Sequence, residues 1–222
     1  MYPLKINMGS IKYEFEDYLL TIYELQDSFG MARLSEIGKI LNITPGAVND
    51  EIKRMEKIKI VERIPRKGIV LTEKGFEISR DIVRRHRIAE AYLFYFLDVP
   101  WEECHRLSHD FEHVIKDEIE IYVLKKINDV RSCPHGNRFS IENIGSGMKL
   151  LGAEESKKYI IDRITYEERD TLYKFKSMGI LPGKIVEIVQ RNEDYSIIKT
   201  EKGRYPIDSR DMEVIRVVSM DE

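Results

Sequence analysis

The hydrophobic residues of this chain change their spacing once, and this change constrains the fold more than any other feature. Up to about residue 127 they recur at intervals of three and four, the spacing of amphipathic helices. Beyond a stretch at 129–147 that is punctuated by proline and glycine, they occur in the short alternating runs typical of strands. The chain is therefore expected to be mainly α with a small all-β domain.

The first part of the chain predicts three helices followed by a hairpin. Asn42 tolerates a left-handed turn, Thr44 is a good N-cap and Pro45 is a good first helical residue. A third helix is therefore expected from Pro45 to about Lys57, and two short strands should flank Arg66-Lys67-Gly68. Two short helices joined by a tight turn and followed by a hairpin indicate a winged helix-turn-helix.

Three domains follow from this pattern. Residues 1–72 are predicted to form the winged helix-turn-helix, and residues 73–146 a helical domain with its linker. Residues 147–222 are predicted to form a small barrel of short strands.

The charge of the chain is unevenly distributed. Residues 33–87 contain 14 Lys or Arg against eight Asp or Glu, an excess of six positive charges, whereas the whole chain carries −3. This asymmetry suits a basic surface that binds nucleic acid, attached to an acidic body that attracts cations. The alternative is a solvated basic face with no partner.

The predicted DNA contacts are the outward-facing residues at the start of the third helix and at the hairpin tip: Thr44, Pro45, Gly46, Asn49, Asp50, Lys53, Arg66 and Lys67. A helix N-terminus can hold a phosphate, and cations at a wing tip contact phosphates without reading sequence. Asn49 has the amide needed to read adenine, and Asp50 either accepts from cytosine or repels wrong sites. The alternative is that this domain contacts only proteins.

The helical middle of the chain predicts a dimer. Residues 91–97 are apolar on every side of their helix, a pattern that a thin domain buries against a partner. This is the longest uninterrupted apolar run, far short of the ~18 residues of a membrane span. The N-terminus has no apolar signal core, and two cysteines cannot form a disulfide framework. A cytoplasmic protein that does not enter the membrane is expected.

Histidines and glutamates recur at helical spacing in this middle region. One set, at i, i+4, i+7 and i+8, is predicted to line one helical face: His105, His109, Glu112 and His113. A second pair stands one turn apart on the preceding long helix: His86 and Glu90. Imidazole and carboxylate ligands without thiolate suit Fe(II), Mn(II), Co(II), Ni(II) or Zn(II). The alternative reading as ordinary core histidines does not explain four of them with phased glutamates.

The same stretch permits an enzymatic alternative. Residues 109–113 spell H-x-x-E-H, the inverted zinc-peptidase motif, in which two histidines hold zinc and Glu112 activates water. The winged helix and the short chain argue against a zinc metallopeptidase, because no other part of the sequence indicates a protease cleft. We therefore expect no enzymatic activity.

Several longer stretches carry a resemblance to a known family: 18–25, 85–90, 111–114 and the linker residues 133–137. The chain resembles the iron-dependent repressors typified by the diphtheria toxin repressor, with the manganese transport regulators as close relatives. Residues 178–183, Met-Gly-Ile-Leu-Pro-Gly, resemble the SH3-like domain shared with ferrous-transport accessory proteins. The resemblance covers essentially the whole chain.

This resemblance implies a metal-dependent transcriptional repressor that regulates genes of metal uptake and homeostasis. It implies a homodimer on palindromic double-stranded operator DNA, loaded with Fe(II) or Mn(II). Co(II), Ni(II) or Zn(II) are expected to substitute in vitro, and no small organic substrate is expected.

The resemblance also implies two metal sites per protomer. The primary set carries over onto Asp17, His109, Glu112 and His113. The ancillary set carries over onto His86, Glu90, His105 and, from the C-terminal domain, Glu168.

Two positions depart from the family's pattern. Iron regulators have methionine at position 17 and cysteine at position 109; manganese regulators have aspartate at the first and glutamate at the second. Asp17 lies in the DNA-binding domain and the other primary ligands in the dimer body, so a cation that bridges them would fix the angle between the two. Cys104 and Cys133 are predicted not to be ligands, and His135 is predicted to have a structural role.

Overall fold

The N-terminal part of the chain is a winged helix-turn-helix, as predicted. The computed structural model describes residues 13–116, 118–141, 144–193 and 195–220. Its first elements are α1 (Tyr13–Phe29), α2 (Leu34–Ile40), α3 (Pro45–Lys57) and the antiparallel strands β1 (Val61–Ile64) and β2 (Gly68–Leu71). Thr44 caps α3 by accepting from the Ala47 N–H at 3.3 Å, and Asn42 adopts the left-handed conformation with φ of 53°.

The helical body begins where the hairpin ends. It consists of α4 (Glu73–Leu97), α5 (Cys104–Phe111) and α6 (Glu118–Ile127), and Thr72 caps α4 through the Gly75 N–H. Gly75 is required by a close approach, because a Cβ at this position would lie 1.9 Å from the Ile60 carbonyl oxygen. This contact fixes the first turn of α4 against the DNA-binding domain.

The apolar run at 91–97 is divided between interior and surface. Ala91 and Leu93 are buried within the chain, whereas Tyr95, Phe96 and Leu97 are about half exposed. Further apolar side chains of α6 are exposed, including Ile121 and Tyr122. No helix among the described residues has both the length and the apolar character needed to cross a bilayer.

The C-terminal domain is an antiparallel sheet of six strands in the order β3-β8-β4-β5-β6-β7. The strands are β3 (Met148–Lys149), β4 (Lys158–Ile164), β5 (Ile185–Arg191), β6 (Tyr195–Thr200), β7 (Gly203–Asp208) and β8 (Ile215–Ser219). Helix α7 (Arg169–Met178) separates β4 from β5, and α8 (Ser209–Val214) precedes β8. The small all-β domain was predicted, but β7 and α7 were not. Val214 ends α8, and β8 begins at the next residue, Ile215.

Candidate metal centre and nucleic-acid interface

Side chains from α1, α4, α5, the linker and the C-terminal domain converge on one buried cluster. Four overlapping groups within it could each hold a metal ion, because their ligand atoms lie within 4.8 Å of one another. We call Asp17, Glu112 and His113 the α1 group, and Glu90, Cys133, His135 and Glu167 the linker group. Between them lie two groups that share His86: one with Glu24 and His105, the other with His109 and Glu112.

Glu90 is the centre of the linker side of the cluster. Its carboxylate is fully buried, and one oxygen faces three imidazole nitrogens: those of His105 at 3.1 Å and of His86 and His135 at 3.4 Å. Burial alone would raise the pKa of Glu90, but the charge of His135 and the hydrogen bonds from the histidines hold it well below its usual range. An ionised carboxylate surrounded by imidazoles is a ready acceptor for a cation.

The hydrogen bond of His135 fixes which of its nitrogens can act as a ligand. Nε2 lies 3.0 Å from the Trp101 carbonyl oxygen, which can only accept, so Nε2 carries the proton. Nδ1 therefore faces Glu167 at 2.6 Å and Glu90 at 3.4 Å. A backbone carbonyl that orients one imidazole nitrogen and leaves the other to the metal is a common arrangement at metal sites.

Cys133 lies in the loop where it was predicted, but its sulfur belongs to the linker group. Sγ is 3.9 Å from His135 Nδ1, and burial raises the pKa of the thiol above its usual value. The thiol is therefore neutral unless a metal displaces its proton. The structure thus places one sulfur beside oxygen and nitrogen atoms of the kinds that were predicted as ligands.

The α1 group joins the DNA-binding domain to the segment that follows α5. His113 Nε2 is 3.5 Å from Asp17 Oδ1, and its Nδ1 is 3.5 Å from Glu16 Oε2. Burial and the neighbouring charge of Glu112 raise the pKa of Asp17. Arg85 Nη2 of α4 lies 3.0 Å from Glu16 Oε2, so this environment already contains one positively charged side chain.

His86 connects the two sides of the cluster. Its Nδ1 hydrogen-bonds to Glu112, and its Nε2 lies 2.9 Å from His105 Nδ1. Burial would lower the pKa of His86, but Glu112 and then Glu90 raise it well above its usual value. Burial likewise opposes protonation of His105, yet Glu24, Glu167 and Glu90 raise its pKa to about 10. The surrounding carboxylates thus favour protonation of both His86 and His105.

His109 differs from its neighbours. Burial, followed by the charges of His86 and His105, lowers its pKa well below the usual value. A neutral imidazole offers a lone pair to a cation without losing a proton. His109 groups with His86 and Glu112, so it shares Glu112 with the α1 group but does not itself join Asp17.

The cluster fits a divalent cation because its carboxylates have unused oxygens. Oε2 of Glu90 and Oε1 of Glu112 are buried and have no hydrogen-bond partner. Such unsatisfied acceptors are costly, and a cation compensates them. Nitrogen and oxygen donors suit Fe(II) and Mn(II), and one sulfur widens the range towards softer ions.

Glu168 is not a member of the cluster, which corrects the prediction for the ancillary set. Its side chain accepts from the Thr171 N–H at 3.2 Å and caps α7. The preceding Glu167 faces His135 and His105 instead. One side chain cannot both cap α7 and reach the cluster. Glu168 caps the helix, and Glu167 reaches the cluster.

The prediction that four ligands line one helical face is also only partly right. α5 ends at Phe111, Glu112 is its C-cap, and His113 lies beyond the helix. The turn after α5 carries His113 towards Asp17, while His109 stays with His86. In the part of the chain that the structure describes, no candidate metal group contains both His109 and His113. The arrangement that a peptidase of the H-x-x-E-H type needs is therefore not formed.

Four members of the cluster were not among the predicted ligands: Glu24, Cys133, His135 and Glu167. The Cys-x-His spacing at 133–135 was a detectable short-range signal, because two ligand types separated by one residue in a loop can face one site. Glu24 and Glu167 had no such signal, since their proximity arises only from tertiary packing.

The predicted nucleic-acid contacts form an exposed face around the start of α3. Thr44, Pro45, Gly46 and Asp50 are exposed, as are the wing residues Arg66 and Lys67. Asp50 pairs with Lys53 at 3.1 Å.

Asn49 differs from the other residues of this face. Its side-chain oxygen accepts from Arg63 Nη1 at 3.3 Å, so its amide is partly engaged by the wing. A base would have to compete with Arg63 for this oxygen, whereas the NH₂ group remains available.

Three family models match consecutive parts of the chain. The model described as the N-terminal DNA binding domain of the iron dependent repressor matches residues 11–69. The iron dependent repressor metal binding and dimerisation domain matches residues 72–139, and the FeoA domain matches residues 148–219.

Individual proteins resemble the chain over most of its length. The diphtheria toxin repressor of Corynebacterium glutamicum is 30% identical over 202 residues, which cover 85% of this chain and 88% of that protein. Among solved structures, T. acidophilum IdeR superposes with a TM-score of 0.85 at 26% identity, covering 99% of this chain and 100% of the other. The manganese regulator SloR shares the fold, with a TM-score of 0.77 at 22% identity over 92% of this chain and 97% of the other.

Proposed function

This chain belongs to the iron-dependent repressor family, and we propose that a divalent metal ion bound by the cluster switches its affinity for operator DNA. It is a metal-dependent transcriptional repressor and not an enzyme. The observation that carries the proposal is the α1 group, in which Asp17 of the DNA-binding domain meets Glu112 and His113 of the helical body. A ligand set that spans two domains links metal binding to their relative orientation.

The charges of the α1 group supply the physical basis of the switch. Asp17, Glu16 and Glu112 place three carboxylates beside one another, and like charges at this separation disfavour the packed arrangement. A bound cation neutralises these carboxylates and favours the packed arrangement by its differential affinity for it. The resulting fixed position of α1 determines where α3 lies.

Iron(II) and manganese(II) are the proposed cellular metals, with Co(II), Ni(II) or Zn(II) substituting in vitro. The support is the donor set of carboxylates and imidazoles, together with family relatives whose names specify iron or manganese. Cys133 adds a sulfur donor to the linker group. Fe(II) and Mn(II) have a weaker preference for sulfur ligands than Zn(II) has.

The family binds operator DNA and dimerises, and we propose that this chain reads a palindromic operator as a homodimer. Tyr95, Phe96, Ile121 and Tyr122 are exposed apolar side chains on α4 and α6, which suit a two-fold interface. A two-fold dimer presents two α3 helices to two half-sites of opposite orientation.

The experiment is a titration of fluorescent duplex DNA against the protein, with Mn(II), Fe(II), Zn(II) or a chelator. The duplex is selected from a random-sequence library with the Mn(II)-loaded protein. Metal is expected to increase affinity strongly, and the chelator should reverse the increase. Equal affinity with metal and with chelator would contradict the proposal.

A single variant tests the assembly. Tyr122→Glu places a charge within the proposed interface, where the side chain is 67% exposed in the single chain and makes no core contact that would be lost. Light scattering should give twice the chain mass of 26.2 kDa for the wild type and a lower mass for the variant. A wild-type monomer with and without metal would remove the basis for palindromic binding.

A further inference from the structure

Residues 163–167, which comprise the last two residues of β4 and the first part of the loop that leads to α7, contact two functional parts of the molecule at once. We call them the coupling segment. Arg163, Thr165 and Tyr166 contact the last turn of α1, and Glu167 belongs to the linker group. The end of α1 and the buried metal cluster are therefore joined by five consecutive residues.

The contact with α1 is centred on Asp27, whose side chain is 3% exposed. Arg163 Nη1 donates to Asp27 Oδ2 at 2.7 Å, and the Gly145 N–H donates to Oδ1 at 2.6 Å. Arg216 of β8, fully buried, donates from Nη2 to the Asp27 carbonyl oxygen at 2.6 Å. Two guanidinium groups of the C-terminal domain thus bind one residue of the DNA-binding domain.

The neighbouring residues of α1 add two contacts. Ser28 Oγ donates to Thr165 Oγ1 at 3.1 Å, and both side chains are buried. The ring of Tyr166 meets the ring of Phe29 edge-on, with centroids 5.4 Å apart. Polar contacts buried at this interface are directional, so they define one docking geometry.

The metal side of the segment is fixed by Asn137, which is 2% exposed. Its NH₂ group donates to the Ile164 carbonyl and to Glu167 Oε1, both at 2.6 Å, and its oxygen accepts from Arg163 at 3.1 Å. The other oxygen of Glu167 lies 2.6 Å from His135 Nδ1. Asn137 therefore connects Arg163, the charged partner of Asp27, directly to the carboxylate of Glu167 in the linker group.

We propose that Asp27 and Arg163 are positioning residues that transmit occupancy of the linker group to the end of α1. Binding of a metal by Glu167 orders the coupling segment, and the segment then fixes the last turn of α1 through Asp27. The α1 group holds the first part of the same helix, so the two sets of contacts together define its orientation. This inference rests on the proposed function of the chain as a metal-dependent repressor.

The test uses Asp27→Asn, which keeps the size and one acceptor oxygen but removes the charge that Arg163 requires and replaces the second oxygen with an NH₂ group. Calorimetry with Mn(II) should give the wild-type number of bound ions, because Asp27 is not a ligand. The Mn(II)-dependent gain in affinity for the selected duplex should fall about tenfold, a typical size for coupling between two sites. Affinity in the presence of chelator should not change.

A matched control is Glu201→Gln, which removes an exposed ion pair with Lys184 in the same domain, 2.9 Å long. It should retain the full metal-dependent gain. A gain in Asp27→Asn equal to that of the wild type would overturn the inference. A wild type with no gain at all would instead overturn the proposed function.

A second measurement does not depend on folding of the variant. The Gly145 N–H is hydrogen-bonded to Asp27 and reports on the contact directly. In the wild type, Mn(II) should slow hydrogen exchange of this amide at least about tenfold, because the contact opens less often. Exchange that is unaffected by Mn(II) at saturating occupancy would overturn the inference.

Discussion

The α1 group and the linker group use similar side chains in different surroundings. In the α1 group, Asp17 and His113 keep 32% and 20% of their side-chain surface exposed, and the group joins only the start of α1 to the end of α5. In the linker group, Glu90 and His135 are fully buried and the ligands come from α4, the linker and the C-terminal domain. An accessible group can exchange metal with solvent, whereas a buried one holds domains together. We therefore expect the α1 group to act as the sensor and the linker group to organise the structure.

Loss of the α1 group should have the largest effect. His113→Ala removes the imidazole that faces Asp17 and leaves the linker group intact. We expect one bound ion fewer per protomer and no metal-stimulated DNA binding, with the dimer retained. Calorimetry and DNA titration on the same sample measure both quantities. A full metal response in this variant would show that the sensor lies elsewhere.

The linker group is tested by two adjacent glutamates that receive the same substitution. Glu167→Gln removes the charge of a candidate ligand, whereas Glu168→Gln removes only the charge of the side chain that caps α7. The first should weaken metal binding and part of the DNA response. The second keeps an oxygen that accepts from the Thr171 N–H, so it should cost at most about 1 kcal/mol of stability and leave metal binding unchanged. Weaker metal binding by Glu168→Gln alone would reverse the correction made from the structure.

The raised pKa of His105 predicts a dependence of metal binding on pH. The pKa of His105 is about 10, above the ordinary value of 6.5, so at pH 7 the ring must lose a proton before one of its nitrogens can bind a metal. Metal affinity should rise with pH by about tenfold per unit for each proton displaced, up to about pH 10. Without metal, the stabilisation from this proton is fully present below pH 6.5 and is lost as pH rises through 10.

Calorimetry of metal binding in buffers with different ionisation enthalpies measures this proton release. The observed enthalpy should change with the buffer in proportion to the number of protons released. An identical enthalpy in every buffer would contradict the raised pKa of His105.

The DNA contacts should have the smallest effect on the metal response. Removal of both wing charges, Arg66 and Lys67, should weaken binding to all duplexes and reduce the salt dependence by up to ~2 units of log–log slope per protomer. Asn49→Ala should cost ~1–3 kcal/mol on the preferred duplex and little on random DNA. Neither variant should change the ratio of affinities with and without metal. A reduced ratio would mean that the wing itself senses the metal.

The sequence predicted the helical elements more completely than it predicted the metal cluster. Thr44 caps α3 and Pro45 is its first residue, as predicted, because capping depends only on neighbouring residues. His86 and Glu90 were predicted as ligands because helical spacing places them one turn apart, and the family resemblance added His105 to them. Glu24 and Glu167 were missed, since they come from segments that approach only after the domains pack.

Two local features explain the remaining differences. The helix α5 ends two residues before His113, the last residue of its predicted histidine face, which separates His113 from His109. The pair Glu167-Glu168 offered two carboxylates at adjacent positions, and helix capping by Glu168 decides between them. In both cases the position of a helix terminus, at the C-terminus of α5 and at the N-terminus of α7, determines which side chain enters the cluster.

The central claim is that metal fixes the position of the DNA-reading helix α3 in each protomer. Spin labels on Lys57→Cys, at the exposed end of α3, allow the distance between the two protomers to be measured by pulsed electron paramagnetic resonance, with diamagnetic Zn(II) as the metal. Both native cysteines are buried, and an unsubstituted sample controls for their labelling. The account predicts a broad distance distribution with chelator and a narrow one with Zn(II). A distribution that Zn(II) leaves unchanged, in a sample whose DNA affinity rises with Zn(II), would contradict it.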